Sequence, residues 1–295
     1  MNKKVASLNI NFDSIRECLK LAGVQNIEIR DPAFFEVMDR FLNIADELRA
    51  KLTIFVIGSD LLNRENFKQV RKWAELGHEI GNHSFSHYQN LAEMNYSEIF
   101  DEVKKSHEII ADCIGKSPKG FISPAWSFSP QLADVLNLLE YKYDTSLFPS
   151  FFMPLIQLRL RLKSNIDGHM IPIIRKDIMG SLFGSRKPYF VSSRHPWRNK
   201  SRIGKLVMLP LPTTKKRIPI WHTMAFMMKF KRFENYLRDA INATETFYYL
   251  IHPADLISPE IDLAFFPNFC PYIERMSIPL KRKMDYLRRS INLWC

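Results

Sequence analysis

The sequence predicts a single α/β domain in which a distorted (β/α) barrel of parallel strands is covered by helices. Short apolar runs of strand length alternate with amphipathic helical patterns through the first half of the chain. Polar side chains that can carry chemistry follow several of these runs directly. A chain of 295 residues that is 46% hydrophobic can bury one large core. Repeated β–α units of this length form a parallel sheet or barrel, with functional groups at the carboxyl ends of the strands.

The strand-like runs are rich in β-branched and aromatic residues, whereas the helical patterns repeat apolar residues every three or four positions. We predict strands over residues 5–12, 52–57, 120–122, 141–144 and 247–251. We predict helices over residues 34–50, 65–75, 97–114 and 130–139, and a loop over residues 77–87. The order of these elements gives the repeated β–α units on which the fold class rests.

Two histidines four residues apart, His83 and His87, are candidate metal ligands. In a helical turn this spacing places both imidazoles on one face, close enough to share an ion. The alternative is a pair of exposed or capping histidines, which is the more common explanation of an isolated His-x-x-x-His. Asp13 follows the first predicted strand and completes a set of one carboxylate and two imidazoles. Three protein ligands leave a coordination position open, as catalytic zinc sites require.

These residues belong to an ordered series of short motifs. In chain order the series is Asp13, His83-x-x-x-His87, Gly120-Phe-Ile-Ser-Pro-Ala-Trp126, Tyr143-Asp144-Thr-Ser146 and Ile251-His252-Pro253. Singly each motif is weak, because an Asp after a strand is usually a helix cap and a His-Pro pair is usually a turn. As an ordered set they resemble the motifs of the NodB-homology polysaccharide deacetylases, over residues 5–150 and again over 206–257.

The resemblance implies a distorted (β/α) barrel and metal-dependent removal of acyl groups from amino sugars, or in some members from sugar hydroxyls. It implies that Asp13, His83 and His87 bind the metal and that His252 is the general acid that protonates the leaving amine. Amide hydrolysis needs a polarised carbonyl, an activated water and a proton for the departing nitrogen. A divalent ion supplies the first two by lowering the pKa of its water from about 15.7 toward 7, and an imidazole supplies the third. We expect zinc, although cobalt, nickel or iron also bind such ligands.

A second group of residues is expected to bind the substrate. Pro124, Ala125 and Trp126 follow one predicted strand, and Asp144 ends another. Trp126 can cover the apolar face of a sugar ring, although core packing explains an aromatic residue here equally well. Asp144 is also a candidate to accept a proton during the reaction, as are Asp255 and a phosphate on the substrate.

Two positions depart from the family pattern. The first motif normally carries a catalytic base followed by a metal ligand, whereas here Asn11 occupies the position of the base. An amide cannot take a proton from water, and loss of a general base typically costs about 10²–10⁴ in rate. The third motif normally has an arginine that holds the base, and here Ile122 or Ser123 occupies that region. The two changes are consistent, because a buried arginine facing a neutral amide would be an unpaired charge.

An alternative register of the first motif makes Asp13 the base and puts Ser14 in place of the metal ligand. That register leaves only the two histidines on the ion. Strand alternation favours the first register, because it places Asn11 and Asp13 on the same face of the strand. Asn11, Asp13 and His252 are therefore the candidate catalytic residues.

The second half of the chain is strongly basic. Residues 151–232 contain 18 Lys and Arg against only Asp167 and Asp177, a net charge of +16 in a chain whose total is +11. Such charges usually form a solvated face, but here they alternate with bulky apolar residues, which favours contact with an anionic membrane surface. The terminal segment 279–295 has the pattern of a basic amphipathic helix, for which packing against the barrel is the more common explanation. Nucleic acid is not expected as a partner, because no recognisable nucleic-acid-binding motif is present.

We therefore expect one deacetylase-like domain over residues 1–295, with a basic hydrophobic insertion over 151–205 and a basic amphipathic tail over 279–295. No stretch has the pattern of a signal peptide or of a membrane-spanning helix, so we expect a cytoplasmic protein, peripheral on the inner face of the membrane. The predicted reaction is removal of an acetyl or formyl group from an amino sugar of a polysaccharide precursor, carried on a lipid such as a polyprenyl phosphate. The alternative is a catalytically impaired relative that binds a sugar or glycolipid, which the residues Asn11 and Ile122 favour.

Overall fold

The computed structural model describes residues 5–17, 30–152, 154, 177–192, 195–200, 203–244, 246–262 and 278–294. Its core is an eight-stranded sheet that curls into a half-barrel, which confirms the predicted fold class. The strands are β1 (Val5–Phe12), β2 (Leu52–Val56), β3 (Glu79–Asn82), β4 (Gly120–Phe121), β5 (Tyr143–Asp144), β6 (Tyr189–Phe190), β7 (Val207–Met208) and β8 (Thr246–Ile251). Their order in the sheet is β6-β7-β5-β4-β3-β2-β1-β8.

All neighbouring strands run parallel except β6, which is antiparallel to β7. The carboxyl ends of the parallel strands therefore lie along the same rim of the half-barrel. Residues 209–222 cross from one side of the sheet to the other. The Leu211 N–H donates to the Leu147 carbonyl over 2.8 Å, and the His222 N–H donates to the Leu250 carbonyl over 2.8 Å. These bonds attach residues 209–222 to the chain just beyond β5 at one end and to β8 at the other.

Helices cover the outside of the sheet. Those of the first half span Glu36–Glu47, Arg64–Glu75, Tyr96–Ile114 and Pro130–Leu138; those of the second half span Asp177–Leu182, Met224–Met227, Phe230–Ala243, Pro259–Asp262 and Leu280–Ile291. Capping residues define both ends of one of these helices. Asn95 and Glu98 form a reciprocal capping box at the start of the helix Tyr96–Ile114, and Gly115 ends it in the left-handed conformation.

Strand β1 has two faces with different roles. Three apolar residues pack in the core between the sheet and the helices: Leu8, Ile10 and Phe12. The intervening Asn9 and Asn11 are buried on the opposite face. Asn11 is paired in register with Phe55, whose ring belongs to the apolar cluster inside the barrel. Asn11 therefore faces the interior, as the alternation of the strand predicts for Asn11 and Asp13.

The structure differs from the sequence prediction between residues 77 and 87. The predicted loop contains the buried strand β3, whose four residues are too few to show a repeating pattern. The two histidines after it do not lie on a helical turn, since Ser84 and His87 both have left-handed backbone conformations, with φ of 65° and 57°. The prediction that a helical turn brings the two imidazoles together is therefore wrong. The two imidazoles nevertheless lie close together in the structure.

The basic second half contributes to the same sheet. The helix Asp177–Leu182 and strand β6 lie within the predicted insertion, and β6 forms the last strand of the sheet. Most of the remaining insertion, residues 155–176, falls outside the described part of the chain. The helix Leu280–Ile291 packs into the main core through Leu287 and Ile291, so packing against the barrel explains its apolar face. Within the described residues, no helix is long and apolar enough to cross a membrane.

Candidate metal centre

Three predicted ligands converge at the carboxyl ends of β1 and β3. Oδ1 of Asp13 lies 3.3 Å from Nε2 of His83 and 3.4 Å from Nε2 of His87. The three ligand atoms all lie within 4.8 Å of one another, and both imidazoles are buried. Oδ1 of Asp13 is itself buried and makes no hydrogen bond within the described residues. A carboxylate oxygen that faces two imidazole nitrogens without a hydrogen bond fits a shared divalent cation.

The loop after β3 brings the histidines together through backbone hydrogen bonds. The Asn82 side chain accepts from the Ser84 N–H over 2.8 Å, and the Ser84 carbonyl accepts from the hydroxyl of Ser106. Oε1 of Glu102, on the helix Tyr96–Ile114, accepts from the N–H groups of residues 85 and 86 and from the Ser86 hydroxyl. These contacts hold the left-handed backbone of the loop and replace the helical turn that the spacing suggested.

Each imidazole has its other nitrogen turned toward an acceptor. Nδ1 of His83 lies 2.7 Å from the Ile122 carbonyl, to which its N–H donates. Nδ1 of His87 lies 3.6 Å from Oε2 of Glu17, a buried carboxylate. Both rings therefore present Nε2 to the cation position, in the arrangement that metal-binding histidines commonly have. Sequence analysis missed Glu17, although its position four residues after Asp13 is the signal that could have identified it.

The electrostatics of the centre are strongly coupled. Burial alone would raise the pKa of Asp13, but the nearby His87, with His83 and His252, holds it well below its usual range. Burial lowers the pKa of His83, and the charge of His87 lowers it further. His87 is also buried, yet the carboxylates of Asp13 and Glu17 raise its pKa to about 10. The carboxylates of Asp13 and Glu17 therefore stabilise a positive charge at His87, between them.

The two departures from the family pattern lie inside the barrel. Asn11 is 5% exposed, and its Oδ1 has no hydrogen-bond partner among the described residues. The Ile122 side chain is fully buried in the interior apolar cluster. Residue 11, the expected position of the base, therefore carries a neutral side chain. Residue 122, in the region where the arginine was expected, carries an apolar side chain. That the two changes compensate each other stays a prediction.

His252 follows β8 at the same rim. Its backbone N–H donates to Oδ2 of Asp255 over 2.9 Å, and its Nδ1 lies 3.8 Å from the same oxygen. Asp255 is fully buried and also accepts from the Thr223 hydroxyl. Its carboxylate thus lies beside His252 and fixes the segment that carries it. Ile251 pairs in register with Ile10, so His252 follows β8 next to the end of β1 that carries Asp13.

The predicted substrate-binding residues form a tight turn that packs against two aromatic rings. Pro124–Trp126 is a 3-10 turn in which Ala125 and Trp126 have left-handed φ of 49° and 54°. The Trp126 ring packs edge-on against Phe148 at 5.0 Å and against Trp221 at 5.7 Å. The ring is partly exposed. Substrate contact by this turn stays a prediction.

Asp144 supports that turn from within the core. It is fully buried, and its Oδ1 accepts both the N–H and the hydroxyl of Ser146. Ser146 in turn accepts from the Ser123 N–H over 2.7 Å, at the start of the turn. Burial raises the pKa of Asp144 to about 7. These contacts connect Asp144 to the substrate-binding turn through Ser146, and its direct contact with substrate stays a prediction.

A barrel rim that carries one carboxylate and two imidazoles, with a third histidine nearby in the fold, is a candidate metal centre with an open coordination position. Residues 31–143 match the family described as polysaccharide deacetylase. This similarity supports a NodB-homology polysaccharide deacetylase domain, of the carbohydrate esterase family 4 type, in this part of the chain.

Individual relatives agree with this assignment. A peptidoglycan deacetylase from Helicobacter pylori is 37% identical over 87 residues, which are 30% of this chain and 29% of the relative. A peptidoglycan-N-acetylglucosamine deacetylase from Bacillus cereus is 36% identical over 92 residues, 31% of this chain and 32% of the relative. The similarity thus spans about a third of these relatives. A Mycobacterium smegmatis crystal structure, assigned as a polysaccharide deacetylase, has a TM-score of 0.57 at 16% identity and covers 98% of this chain and 92% of that one.

Proposed function

We propose that the protein is a metal-dependent hydrolase that removes an N-acyl group, acetyl or formyl, from an amino sugar. The observation that carries this proposal is the convergence of Asp13, His83 and His87, with His252 at the end of the neighbouring strand β8. Three ligands leave room for substrate and water on the cation. The similarity to a peptidoglycan deacetylase and to a peptidoglycan-N-acetylglucosamine deacetylase supports the substrate class.

The donor set favours zinc. One carboxylate and two imidazoles, each with its second nitrogen turned toward an acceptor, suit Zn²⁺ and also Co²⁺ or Ni²⁺. The bound ion would polarise the acyl carbonyl and lower the pKa of a water molecule. His252, placed by Asp255, would hold the proton that the departing nitrogen needs. Asn11 can orient a water through its free Oδ1 but cannot take its proton.

A second function is favoured by one specific observation. Asn11 and Ile122 are both neutral and both buried inside the barrel, so the base and its charged partner are missing together. A protein that binds an amino sugar on the metal without hydrolysing it would need neither group. This alternative is a carbohydrate-binding or glycolipid-binding protein on the deacetylase scaffold.

We propose further that the substrate is carried on a lipid phosphate at an anionic membrane surface, on its cytoplasmic face. The aromatic rings of Phe151 and Phe183 are 49% and 57% exposed and contact each other at 5.8 Å. The Arg217 guanidinium lies 5.5 Å from the Phe151 ring, and Lys215 and Lys216 are exposed beside it. Exposed aromatics among cations suit the headgroup region of a membrane.

The direct test is metal content and acid release. Purified protein, with a His83→Ala/His87→Ala double variant as control, is assayed for bound metal and for acetate or formate released from amino-sugar oligomers and polyprenyl-phosphate amino sugars. One metal per chain and release that the double variant loses support the hydrolase. Metal binding and sugar binding without release support the binding protein. Full activity in the metal-stripped double variant would exclude both.

A further inference from the structure

Glu17 lies directly behind the second metal ligand. Its Oε2 is 3.6 Å from Nδ1 of His87, on the side of the ring opposite the nitrogen that faces Asp13. The side chain is 3% exposed, and a carboxylate is seldom buried to this extent without a partner of opposite charge or a donor. The imidazole of His87, within ion-pair distance of Glu17, is such a partner.

The local structure fixes the Glu17 carboxylate in this place. Its backbone N–H donates to the Ser14 hydroxyl, one turn back toward Asp13. Its Oε1 lies 3.8 Å from the Arg16 guanidinium, which is itself held by an ion pair with the buried Asp60. Glu17 therefore has one oxygen toward a fixed cation and the other toward His87. A carboxylate held at both oxygens can keep an imidazole in one orientation.

The two histidines of the centre are supported differently. His83 faces a neutral backbone carbonyl, that of Ile122, whereas His87 faces a charged side chain. A carboxylate behind a metal-binding imidazole fixes its tautomer, so that Nε2 carries the free lone pair, and makes that nitrogen a stronger ligand. The left-handed backbone at His87 gives the ring no support from a regular helix or strand. The orientation of His87 thus depends on its side-chain partner.

We propose that Glu17 is the positioning residue of this metal centre, which holds His87 with Nε2 toward the cation and strengthens its bond to the metal. The proposal rests on the metal site of the proposed function and is independent of the substrate and of the acyl chemistry. It assigns to Glu17 a role that requires no contact with the substrate.

The test is the affinity of the whole chain for Zn²⁺, measured by competition with a chromophoric chelator, for Glu17→Ala and Glu17→Gln. We expect Glu17→Ala to raise the Zn²⁺ dissociation constant about 10–100-fold. Glu17→Gln keeps an oxygen that can accept from Nδ1–H but loses the charge, so its effect should be smaller. Glu234→Gln is the matched control, because Glu234 is also buried but pairs with Arg289, away from the centre.

Further readouts separate positioning from general stability. The metal-free forms of Glu17→Ala and Glu234→Gln should melt at similar temperatures, and the visible spectrum of the Co²⁺-loaded protein should change only for the Glu17 variants. Unchanged affinity in Glu17→Ala, or an equal loss in Glu234→Gln, would overturn the proposal. If Glu17→Ala does not fold, wild-type affinity in Glu17→Gln overturns it instead. A wild-type chain that binds no Zn²⁺ overturns the metal site itself and this role with it.

Discussion

The carbonyl oxygen of Ile122 lies 2.7 Å from Nδ1 of His83, while the Ile122 side chain is buried in the apolar interior of the barrel. The backbone carbonyl of Ile122 thus orients His83, while its side chain packs in the cluster that contains Phe55, the register partner of Asn11. The carbonyl contact does not depend on the nature of the side chain. An apolar residue at this position is therefore compatible with an oriented His83.

Restoring the base should raise activity. We expect Asn11→Asp to increase the turnover number by about 10²–10⁴, because the new carboxylate faces the interior beside Asp13 and can take a proton from water. The measurement is acid release at constant metal content. Asn9→Asp is the matched control, since Asn9 is buried on the same face of β1 two residues earlier. An equal increase in both variants would show that added charge, and not a base at residue 11, is responsible.

The same substitution should cost stability in the metal-free protein. The Ile122 side chain offers no cation to the new carboxylate, so burial should raise its pKa above the unfolded value. The penalty is then present at neutral pH, where the unfolded chain is ionised, and disappears as the pH falls below the unfolded pKa. Thermal melting of Asn11→Asp against wild type at two pH values measures this difference. A deficit that grows on acidification would contradict the argument.

His252 should affect turnover without affecting metal binding. We expect His252→Gln to lower the turnover number by about 10²–10⁴, since glutamine cannot deliver a proton to the leaving amine. Bound metal should stay at the wild-type level, because the candidate ligands are Asp13, His83 and His87 and do not include His252. Loss of metal in His252→Gln would place His252 among the ligands and remove it as the acid.

Glu102 should hold the loop that carries both histidines. Glu102→Ala removes the acceptor of the N–H groups of residues 85 and 86, and we expect it to lower stability by about 1–3 kcal/mol. It should also weaken Zn²⁺ binding, because the loop loses its attachment to the helix Tyr96–Ile114. The control is Glu108→Ala on the same helix, where Glu108 is paired only weakly with Lys104 at the surface. Equal effects on melting and on Zn²⁺ affinity in the two variants would contradict this role for Glu102.

The sequence was sufficient to predict the fold class and the three candidate ligands that lie together in the structure, because both predictions depend on local patterns. Strand β1 shows its alternation over eight residues, and Asp13, His83 and His87 each follow a strand. The short strands β6 and β7 were not predicted, since two residues carry no periodicity and their pairing is set by distant parts of the chain. Glu17 was missed because its contact with His87 joins two residues that are 70 positions apart in the chain and forms only in the folded protein. The backbone conformation of the histidine loop depends on Glu102 and Ser106, which no motif includes.

The exposed aromatic surface should decide membrane binding. If Phe151 and Phe183 enter the headgroup region, wild-type protein should sediment with anionic vesicles at low salt, and Phe151→Ser/Phe183→Ser should not. Higher salt should release the wild type, because the neighbouring cations act through a screened attraction. Leu138→Ser is the control, since Leu138 is 61% exposed on a helix outside the basic half. Neutral vesicles in place of anionic ones test the charge separately. Binding that survives in the double variant, or that neutral vesicles support equally, would show that this surface is not the membrane contact.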